Sequence, residues 1–185
     1  MSTHRQHSFI GTLSYLRYPV HTLDTLLGEP AWVDWFGGAG ILPQLASTVR
    51  NDSHLLSCQP GKTDTPILLY FRHTPSGYSL YVREPGNHFG KRVCLFGDYL
   101  GLGTAATQPP CLLTLESDTG APFGLADLST DRHVIRLALD GQYVAPVTRR
   151  GAPHLYLSFK KETTCCWMLK ILERNVPWLS TPDER

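Results

Sequence analysis

One histidine of the sequence lies close to two carboxylates, a combination that can do acid–base chemistry. His133 follows Asp131 by two positions and Asp127 by six. A carboxylate beside an imidazole can orient the ring so that it takes up or releases a proton during a reaction. No nucleophile can be assigned to this group from the sequence, so the favoured interpretation is an exposed histidine in a turn.

Five cysteines are the other reactive side chains, and two of them are adjacent. Cys165 and Cys166 lie in a predicted strand, where neighbouring side chains point to opposite faces, so the pair is poorly placed to share a metal ion. The cysteine number is odd and the spacing shows no disulfide framework. We therefore expect reduced thiols whose role is structural.

Motifs that identify well-known catalytic sites are absent from the sequence. It contains no GxSxG, P-loop, HExxH or CxxC pattern. The eight histidines show no spacing typical of metal ligands. We therefore expect no metal site and no cofactor, and the sequence names no catalytic residue.

The composition is that of an ordinary globular protein. The chain has 185 residues, of which 42% are hydrophobic and 18% charged, and its formal net charge is +1. A charge this small gives no basic surface for nucleic acid, and no apolar run approaches the ~20 residues of a membrane span. The polar start MSTHRQHSF lacks the apolar region of a secretory signal. We expect a cytoplasmic protein, or one exported without a cleavable signal peptide.

A repeat organises most of the chain. A step of 44 positions joins Gly97 to Gly141 and Leu113 to Leu157. Internal periods of this length are typical of repeated units that share one core. The step, with small shifts of register, predicts layers of equivalent core residues, which are Leu69/Leu113/Leu157, Phe71/Leu115/Phe159, Leu80/Leu125/Leu169 and Val93/Leu137.

Each repeat is predicted to contain four short strands separated by turns. In the second repeat these are YLGL (99–102), CLLTLE (111–116), FGLADL (123–128) and HVIRLAL (133–139). The third repeat lacks a fourth strand, which LASTV (45–49) can supply beside the strand that contains Trp167. The predicted fold is all-β, with twelve strands in three units over residues 45–173 and a C-terminal tail at 174–185.

Twelve short strands in three equivalent units resemble a β-trefoil. Within that class, the segments VCLFGDYLGL and IRLALDGQYVAP are similar to the strand–Gly–Tyr–Leu–strand pattern of fascin-like trefoils. The QxW triplets of ricin-type trefoil lectins are absent, so the sugar sites of that family are not carried over. The fascin-like resemblance suggests actin as a partner, but bundling of filaments needs two sites and usually several trefoils, so one domain gives this partner little support.

Residues 1–44 precede the repeat and are predicted to form a helical arm. The apolar residues of 20–27 fall on one helical face, and Gly28 can end that helix. Trp32, Trp35 and Phe36 then have the i, i+3, i+4 spacing of a second helical face. We favour a cap on the open end of the trefoil for this face. The alternative is a partner-binding surface, because tryptophans are enriched in interface hot spots.

Three tyrosines complete the predicted binding residues. Tyr70, Tyr81 and Tyr156 alternate with the predicted core residues of their strands, so we expect them to be exposed and able to stack on a sugar or pack on a protein. The predicted hairpin tips change from basic to acidic to basic in RHTPSG, ESDTGAP and KKETTC. This change argues against three equal sugar sites.

The sequence favours a non-catalytic binding module. We expect another protein as its partner, with a carbohydrate as the second ligand class and no nucleic acid; the oligomeric state cannot be read from the sequence. The alternative is a small enzyme or toxin-type effector on a trefoil scaffold. A deep pocket with converging titratable groups of shifted pKa favours the enzyme, and a flat aromatic face favours the binding module.

Overall fold

Strands make up most of the fold. The computed structural model describes residues 4–35, 48–104, 106, 108–149, 151–159 and 165–177. These residues contain sixteen strands and three short helical segments, so the predicted all-β class is confirmed. The helical segments are α1 (His4–His7), α2 (Leu23–Leu27) and a 3-10 helix (Leu125–Asp127). None of the described helices is long and apolar enough to cross a membrane.

The longest strands have eight residues and are paired on both sides. The sixteen strands vary from two to eight residues in length. They are β1 (Phe9–Tyr15), β2 (Tyr18–Pro19), β3 (His21–Thr22), β4 (Trp32–Trp35), β5 (Thr48–Asn51), β6 (Leu56–Ser57), β7 (Leu69–Thr74), β8 (Gly77–Val82), β9 (Arg92–Phe96), β10 (Tyr99–Gly103), β11 (Leu112–Glu116), β12 (Arg132–Leu139), β13 (Gln142–Tyr143), β14 (Ala145–Thr148), β15 (Leu155–Ser158) and β16 (Trp167–Arg174).

Six of these strands close into an antiparallel ring. The pairs around the ring are β1–β7, β7–β8, β8–β11, β11–β12, β12–β16 and β16–β1. Each ring strand is therefore hydrogen-bonded to a neighbour on both sides. Closure removes the free edges that would otherwise pair with other chains.

The inward faces of the ring strands form the main hydrophobic core. Along β16, Trp167, Leu169 and Ile171 are buried, whereas Met168 and Lys170 between them are exposed. All the predicted layer residues belong to this core, with Phe159 packed against it in a partly buried position. Their predicted burial is confirmed. A fully buried large apolar side chain contributes roughly 1.5–3 kcal/mol, so this cluster dominates the stability.

The chain leaves the ring three times between successive ring strands. The hairpin β9–β10 lies between β8 and β11, and the hairpin β14–β15 lies between β12 and β16. The longest excursion, between β1 and β7, carries the pairs β3–β6 and β4–β5 together with α2. Strand β10 also meets β15 where Tyr99 pairs with Ser158, so two of the excursions contact each other.

The strand beside β16 is β1, and the predicted pairing of residues 45–49 at this place is wrong. In β1, Phe9 pairs with Arg174 and Ser14 pairs with Met168. Residues 48–51 pair with β4 instead, and 45–47 lie outside the described residues. Gly11 helps to explain why β1 is the strand that pairs with β16. A Cβ at this position would lie 2.8 Å from the backbone oxygen of Lys170. The close approach of β1 to β16 therefore requires glycine.

The secondary structure differs from the prediction at residues 32–35 and 123–128, and it agrees in part with the helix predicted before Gly28. Residues 32–35 form strand β4 rather than a helical turn, because they find hydrogen-bond partners in β5 that local spacing cannot show. The predicted strand 123–128 contains a 3-10 turn, in which Gly124 N–H donates to the Asp127 carboxylate at 2.8 Å. The helix predicted over 20–27 is confirmed only at Leu23–Leu27 (α2), because His21–Thr22 form β3; α2 ends at Gly28, whose φ of 73° is left-handed.

The step of 44 positions matches turns, not equivalent places in the ring. Gly97 lies in the turn between β9 and β10, whereas Gly141 lies between β12 and β13. Both turns need a positive φ, 64° and 78° respectively, which glycine adopts without strain. Leu113 is in ring strand β11, whereas Leu157 is in β15 outside the ring. The similarity of the two segments therefore reflects common hairpin chemistry.

Candidate functional site

A polar cleft of about 580 Å³ lies between α2, the β4–β5 hairpin and the loop that follows β8. Its lining combines groups that donate and accept hydrogen bonds with groups that can carry charge. The carboxylate, imidazole and amide side chains on its wall are Asp24, Glu29, Glu84, His21, His88, Asn51 and Asn87. No described Phe, Tyr or Trp side chain lines the cleft, and Pro30, Ile67, Val82 and Pro85 add apolar surface to its wall.

Two short pieces of backbone place these side chains. Helix α2 presents Asp24 in its first turn, where Oδ1 accepts the Thr25 N–H at 2.7 Å. The loop after β8 is held by tight turns, including the bond from Lys91 N–H to the His88 carbonyl oxygen at 3.1 Å. Gly90 supplies a positive φ of 76° in the same loop and donates its N–H to Val82 at 3.0 Å. His88 therefore projects from a hydrogen-bonded loop.

His21 is fixed in one tautomer and tied to Glu84. Its Nδ1 accepts the Thr22 N–H at 2.8 Å, so the proton of the neutral ring lies on Nε2. Nε2 donates to Glu84 Oε2 at 3.1 Å. Burial lowers the pKa of His21, and the opposing charge of Glu84 does not overcome this effect. The structure therefore favours a neutral His21 that orients Glu84.

His88 makes a second imidazole–carboxylate pair with Asp24. His88 Nε2 lies 3.1 Å from Asp24 Oδ2, and Lys91 Nζ lies 3.3 Å from His88 Nδ1. Burial alone would raise the pKa of Asp24, but hydrogen bonds from His88, Thr22 and Thr25 outweigh it and bring the pKa to about 2. Asp24 is thus a carboxylate at any physiological pH.

The arrangement presents fixed hydrogen-bond acceptors rather than a free imidazole base. Both ring nitrogens of His21 and of His88 are engaged within the protein. A general base needs a lone pair that can reach the proton of a substrate. The groups that remain accessible are the carboxylates, since the Glu84 side chain is 39% exposed and that of Asp24 30%.

Trp32 lies in β4, whose partner strand β5 contributes Asn51 to the wall of the cleft. Its side chain is 62% exposed, so the favoured interpretation of a buried cap is wrong for this residue. Trp32 is the direct cross-strand partner of Asn51, which lines the cleft, and such partners share one face of a two-stranded ribbon. Trp35 lies at the end of β4, and Phe36 lies outside the described residues.

The predicted exposure of the three tyrosines is wrong. Tyr70, Tyr81 and Tyr156 are 0%, 2% and 0% exposed. The Tyr70 hydroxyl donates to the Val176 carbonyl oxygen at 3.3 Å, and the Tyr156 hydroxyl donates to Asp52 at 3.0 Å. Alternation along a strand predicts which face a side chain takes, but here the outer face is covered by other parts of the chain.

His133 does not make the imidazole–carboxylate contact that the sequence offered as the alternative to a turn histidine. His133 Nε2 lies 2.7 Å from the Thr130 carbonyl oxygen, and Asp131 pairs with Arg174 at 3.2 Å. The pairs that do form, His21–Glu84 and His88–Asp24, join residues 63 and 64 positions apart. No local spacing indicates them, and only the fold of the longest excursion onto the loop after β8 brings them together.

The adjacent cysteines follow the predicted alternation. Cys165 is buried and Cys166 is exposed. Burial raises the pKa of Cys165, Cys58 and Cys111 to about 12, which keeps these thiols protonated and unreactive. Among the described residues, no group of three or more His, Cys, Asp or Glu side chains is placed to hold a metal ion.

Lowering the pH from 7.5 to 5 is expected to lower the melting temperature. Burial lowers the pKa values of His21, His54, His73 and His154, so folding favours their neutral forms. The stability that these neutral histidines contribute is fully present above their unfolded pKa of about 6.5. It is lost as the pH falls through their lower pKa values in the folded protein. Asp24 does not change in this window, because its pKa is about 2.

Thermal unfolding followed by circular dichroism at several pH values measures this effect. The His21→Asn variant should show a smaller loss of melting temperature between pH 7.5 and 5 than the original protein. A melting temperature that is constant or rises over the same range would contradict the stabilisation of neutral histidines.

Comparison with known proteins identifies no family for this chain. No protein-family model, no curated protein sequence and no solved structure matches it.

Proposed function

We propose that the chain is a non-catalytic binding module of β-trefoil type. The support is the order of strands around the ring. Each of the successive segments 9–74, 77–116 and 132–174 begins and ends with a ring strand, and the two are paired in each case. Three such units with an excursion in the middle of each are the arrangement that a trefoil requires. These units begin with β1, β8 and β12. Their boundaries therefore differ from those of the three units that the step of 44 positions predicted over residues 45–173.

The ligand we propose is a hydroxyl-rich molecule, specifically a carbohydrate, bound in the polar cleft. One observation carries this proposal: the exposed aromatic residue Trp32 is the cross-strand partner of Asn51, which belongs to the wall of the cleft. Sugar hydroxyls donate to carboxylate and amide oxygens, whereas the apolar face of a sugar ring stacks on an aromatic side chain. The cleft supplies the polar contacts, and Trp32 on the β4–β5 ribbon supplies the aromatic one.

The two histidines have a positioning role in this proposal. His21 holds Glu84, and His88 holds Asp24, each through a hydrogen bond of 3.1 Å. A carboxylate that is already oriented loses less conformational freedom when a ligand binds, and this raises affinity. The pKa of about 2 for Asp24 keeps one acceptor charged at every pH at which the protein works.

Acid–base hydrolysis in the same cleft is the second candidate function. Two carboxylates that are each paired with an imidazole converge there, and the pKa values of His21 and Asp24 are shifted, which are features of catalytic sites. Glu84 is the group that could exchange a proton with a substrate, because its side chain is the more exposed of the two carboxylates. The engaged nitrogens of both histidines make binding the better supported function.

Binding of the labelled protein to a glycan array tests the proposal, followed by calorimetric titration with the glycans that it retains. We expect Trp32→Ala to weaken binding at least about tenfold, as loss of an aromatic anchor does. Val49→Ala is a matched control, since Val49 lies on the same hairpin, is 57% exposed and pairs with Asp34 rather than with a cleft residue.

Glu84→Gln separates the two candidate functions. Mass spectrometry of the retained glycans after incubation with the protein shows whether any glycosidic bond is broken. Intact glycans and weakened binding in the variant support a binding module. Cleaved glycans, with cleavage lost in Glu84→Gln while binding remains, would show an enzyme. Failure of the array to retain any glycan would overturn the carbohydrate proposal.

A further inference from the structure

A second cavity, of about 570 Å³, lies on the outer wall of the ring. Its floor is formed by alternate residues of two paired ring strands: Thr12 and Ser14 of β1, and Met168, Lys170 and Leu172 of β16. Alternate residues of a strand lie about 7 Å apart, so the floor runs for about 13 Å along β16 from Met168 to Leu172. The cavity is therefore a groove that follows the strand direction.

Two cations lie side by side in the middle of this groove. Arg132 of β12 is the direct cross-strand partner of Lys170 of β16, and both side chains are exposed. Like charges placed directly opposite each other on a sheet destabilise it. Arg17 adds a third cation to the lining, whereas Glu84 is the single acidic residue among the described residues that line the groove and is hydrogen-bonded to His21. The groove therefore has an excess of positive charge that an anion would relieve.

Apolar side chains lie on both sides of this charge. Met168 and its cross-strand partner Val134 are 39% and 54% exposed on one side, and Leu172 is 49% exposed on the other. Leu16, 77% exposed, extends the apolar surface at the end of the groove next to Met168. The order along the groove is apolar, cationic, apolar, with the spacing of alternate residues in an extended chain.

We propose that this groove binds an extended peptide segment of a partner protein that carries an acidic side chain between two apolar ones. In an extended peptide the side chains of residues i, i+2 and i+4 lie on one face about 7 Å apart. This spacing equals that of Met168, Lys170 and Leu172, so one acidic residue meets Lys170 and Arg132 while its neighbours meet the apolar ends. A single-chain fatty acid would place its charge at one end, which matches a central charge less well.

The probe is a capped, fluorescently labelled peptide of sequence SLSESLS, and its matched control is SLSKSLS. Fluorescence anisotropy at low salt should show binding of the acidic peptide at concentrations below about 1 mM. The basic peptide should bind at least tenfold more weakly. Raising the salt to about 0.5 M should weaken binding of the acidic peptide, because exposed charges are screened.

Variants of the groove test which residues hold the peptide. The double variant Arg132→Glu with Lys170→Glu should reduce affinity for SLSESLS at least tenfold, and Leu172→Ser several-fold. Lys62→Glu is the control, because Lys62 is an exposed cation outside the groove, and it should bind the peptide as the original protein does. Circular dichroism checks folding, and the double variant Arg132→Gln with Lys170→Gln replaces the first if that one fails to fold.

Three results would overturn the proposal. The first is equal binding of the acidic and basic peptides. The second is unchanged affinity in a folded variant that lacks both cations. The third is binding of laurate at the groove, detected through the same variants, without any binding of the peptide. That last result would assign the groove to an anionic lipid instead.

Discussion

Replacing Trp167 by alanine is expected to lower the free energy of unfolding by about 3–5 kcal/mol, the range for large aromatic residues in a core. Trp167 is 0% exposed and begins β16, with its ring centroid 5.6 Å from that of Tyr15. Its indole Nε1–H donates to the Val144 carbonyl oxygen at 3.0 Å. The variant therefore opens a cavity inside the ring and removes the partner of a buried carbonyl group.

Urea unfolding followed by circular dichroism measures this loss, with the free energy obtained by linear extrapolation. Met168→Ala is the matched control, because Met168 is the next residue of the same strand and faces outward. A surface substitution of this kind should change the free energy of unfolding by no more than about 0.5 kcal/mol. Equal effects of the two substitutions would show that the inward and outward faces of β16 have been assigned incorrectly.

Replacing Asp52 by alanine is expected to destabilise the protein by about 3–5 kcal/mol, the cost of removing one partner from a buried ion pair. Asp52 is 0% exposed. Its Oδ2 accepts hydrogen bonds from Arg149 Nη1 at 3.2 Å and from the Tyr156 hydroxyl at 3.0 Å. Arg50 Nε lies 3.1 Å from Oδ1, in a charge contact whose geometry is not that of a hydrogen bond.

The effect should be large because Asp52 joins two parts of the chain that lie outside the ring. It follows β5 in the first excursion, whereas Arg149 and Tyr156 belong to the third. Without the carboxylate, the Arg149 side chain, which is only 9% exposed, loses the negative charge beside it.

Two further variants separate the contributions at this site. Tyr156→Phe removes one hydrogen bond only and should cost about 1 kcal/mol. Asp34→Ala, on the exposed face of β4, should have almost no effect. If Asp52→Ala unfolds with the same midpoint as Asp34→Ala, the buried network does not stabilise the fold.

The sequence by itself determined the local features of this protein. Alternation predicted that one of Cys165 and Cys166 is buried and the other exposed, and the predicted layer residues belong to the main core or, for Phe159, pack against it. The Leu23–Leu27 part of the predicted helix and its end at Gly28 followed from leucine spacing and from the left-handed conformation that glycine adopts easily, whereas the predicted start at Val20 did not hold. These features depend on neighbours a few positions apart, so a linear pattern contains them.

The tertiary structure alone decided which strands are neighbours and what covers them. Both β1 and the 45–49 segment have strand-like sequences, but β1 pairs with β16, where Gly11 permits the close approach, and residues 48–51 pair with β4. Tyr70 and Tyr81 lie on the predicted side of their strands and are nevertheless buried, because Val176 packs over them.

The candidate site belongs to the same category. In the sequence, His21 and Asp24 precede β7, whereas Glu84 and His88 follow β8. The pairs His21–Glu84 and Asp24–His88 form only when the longest excursion folds onto the loop after β8. Strand alternation and turn chemistry are local properties of the chain, whereas ring closure and the hydrogen bonds of the cleft depend on contacts between distant residues. The sequence therefore determined the faces of the strands, and the tertiary structure determined the site.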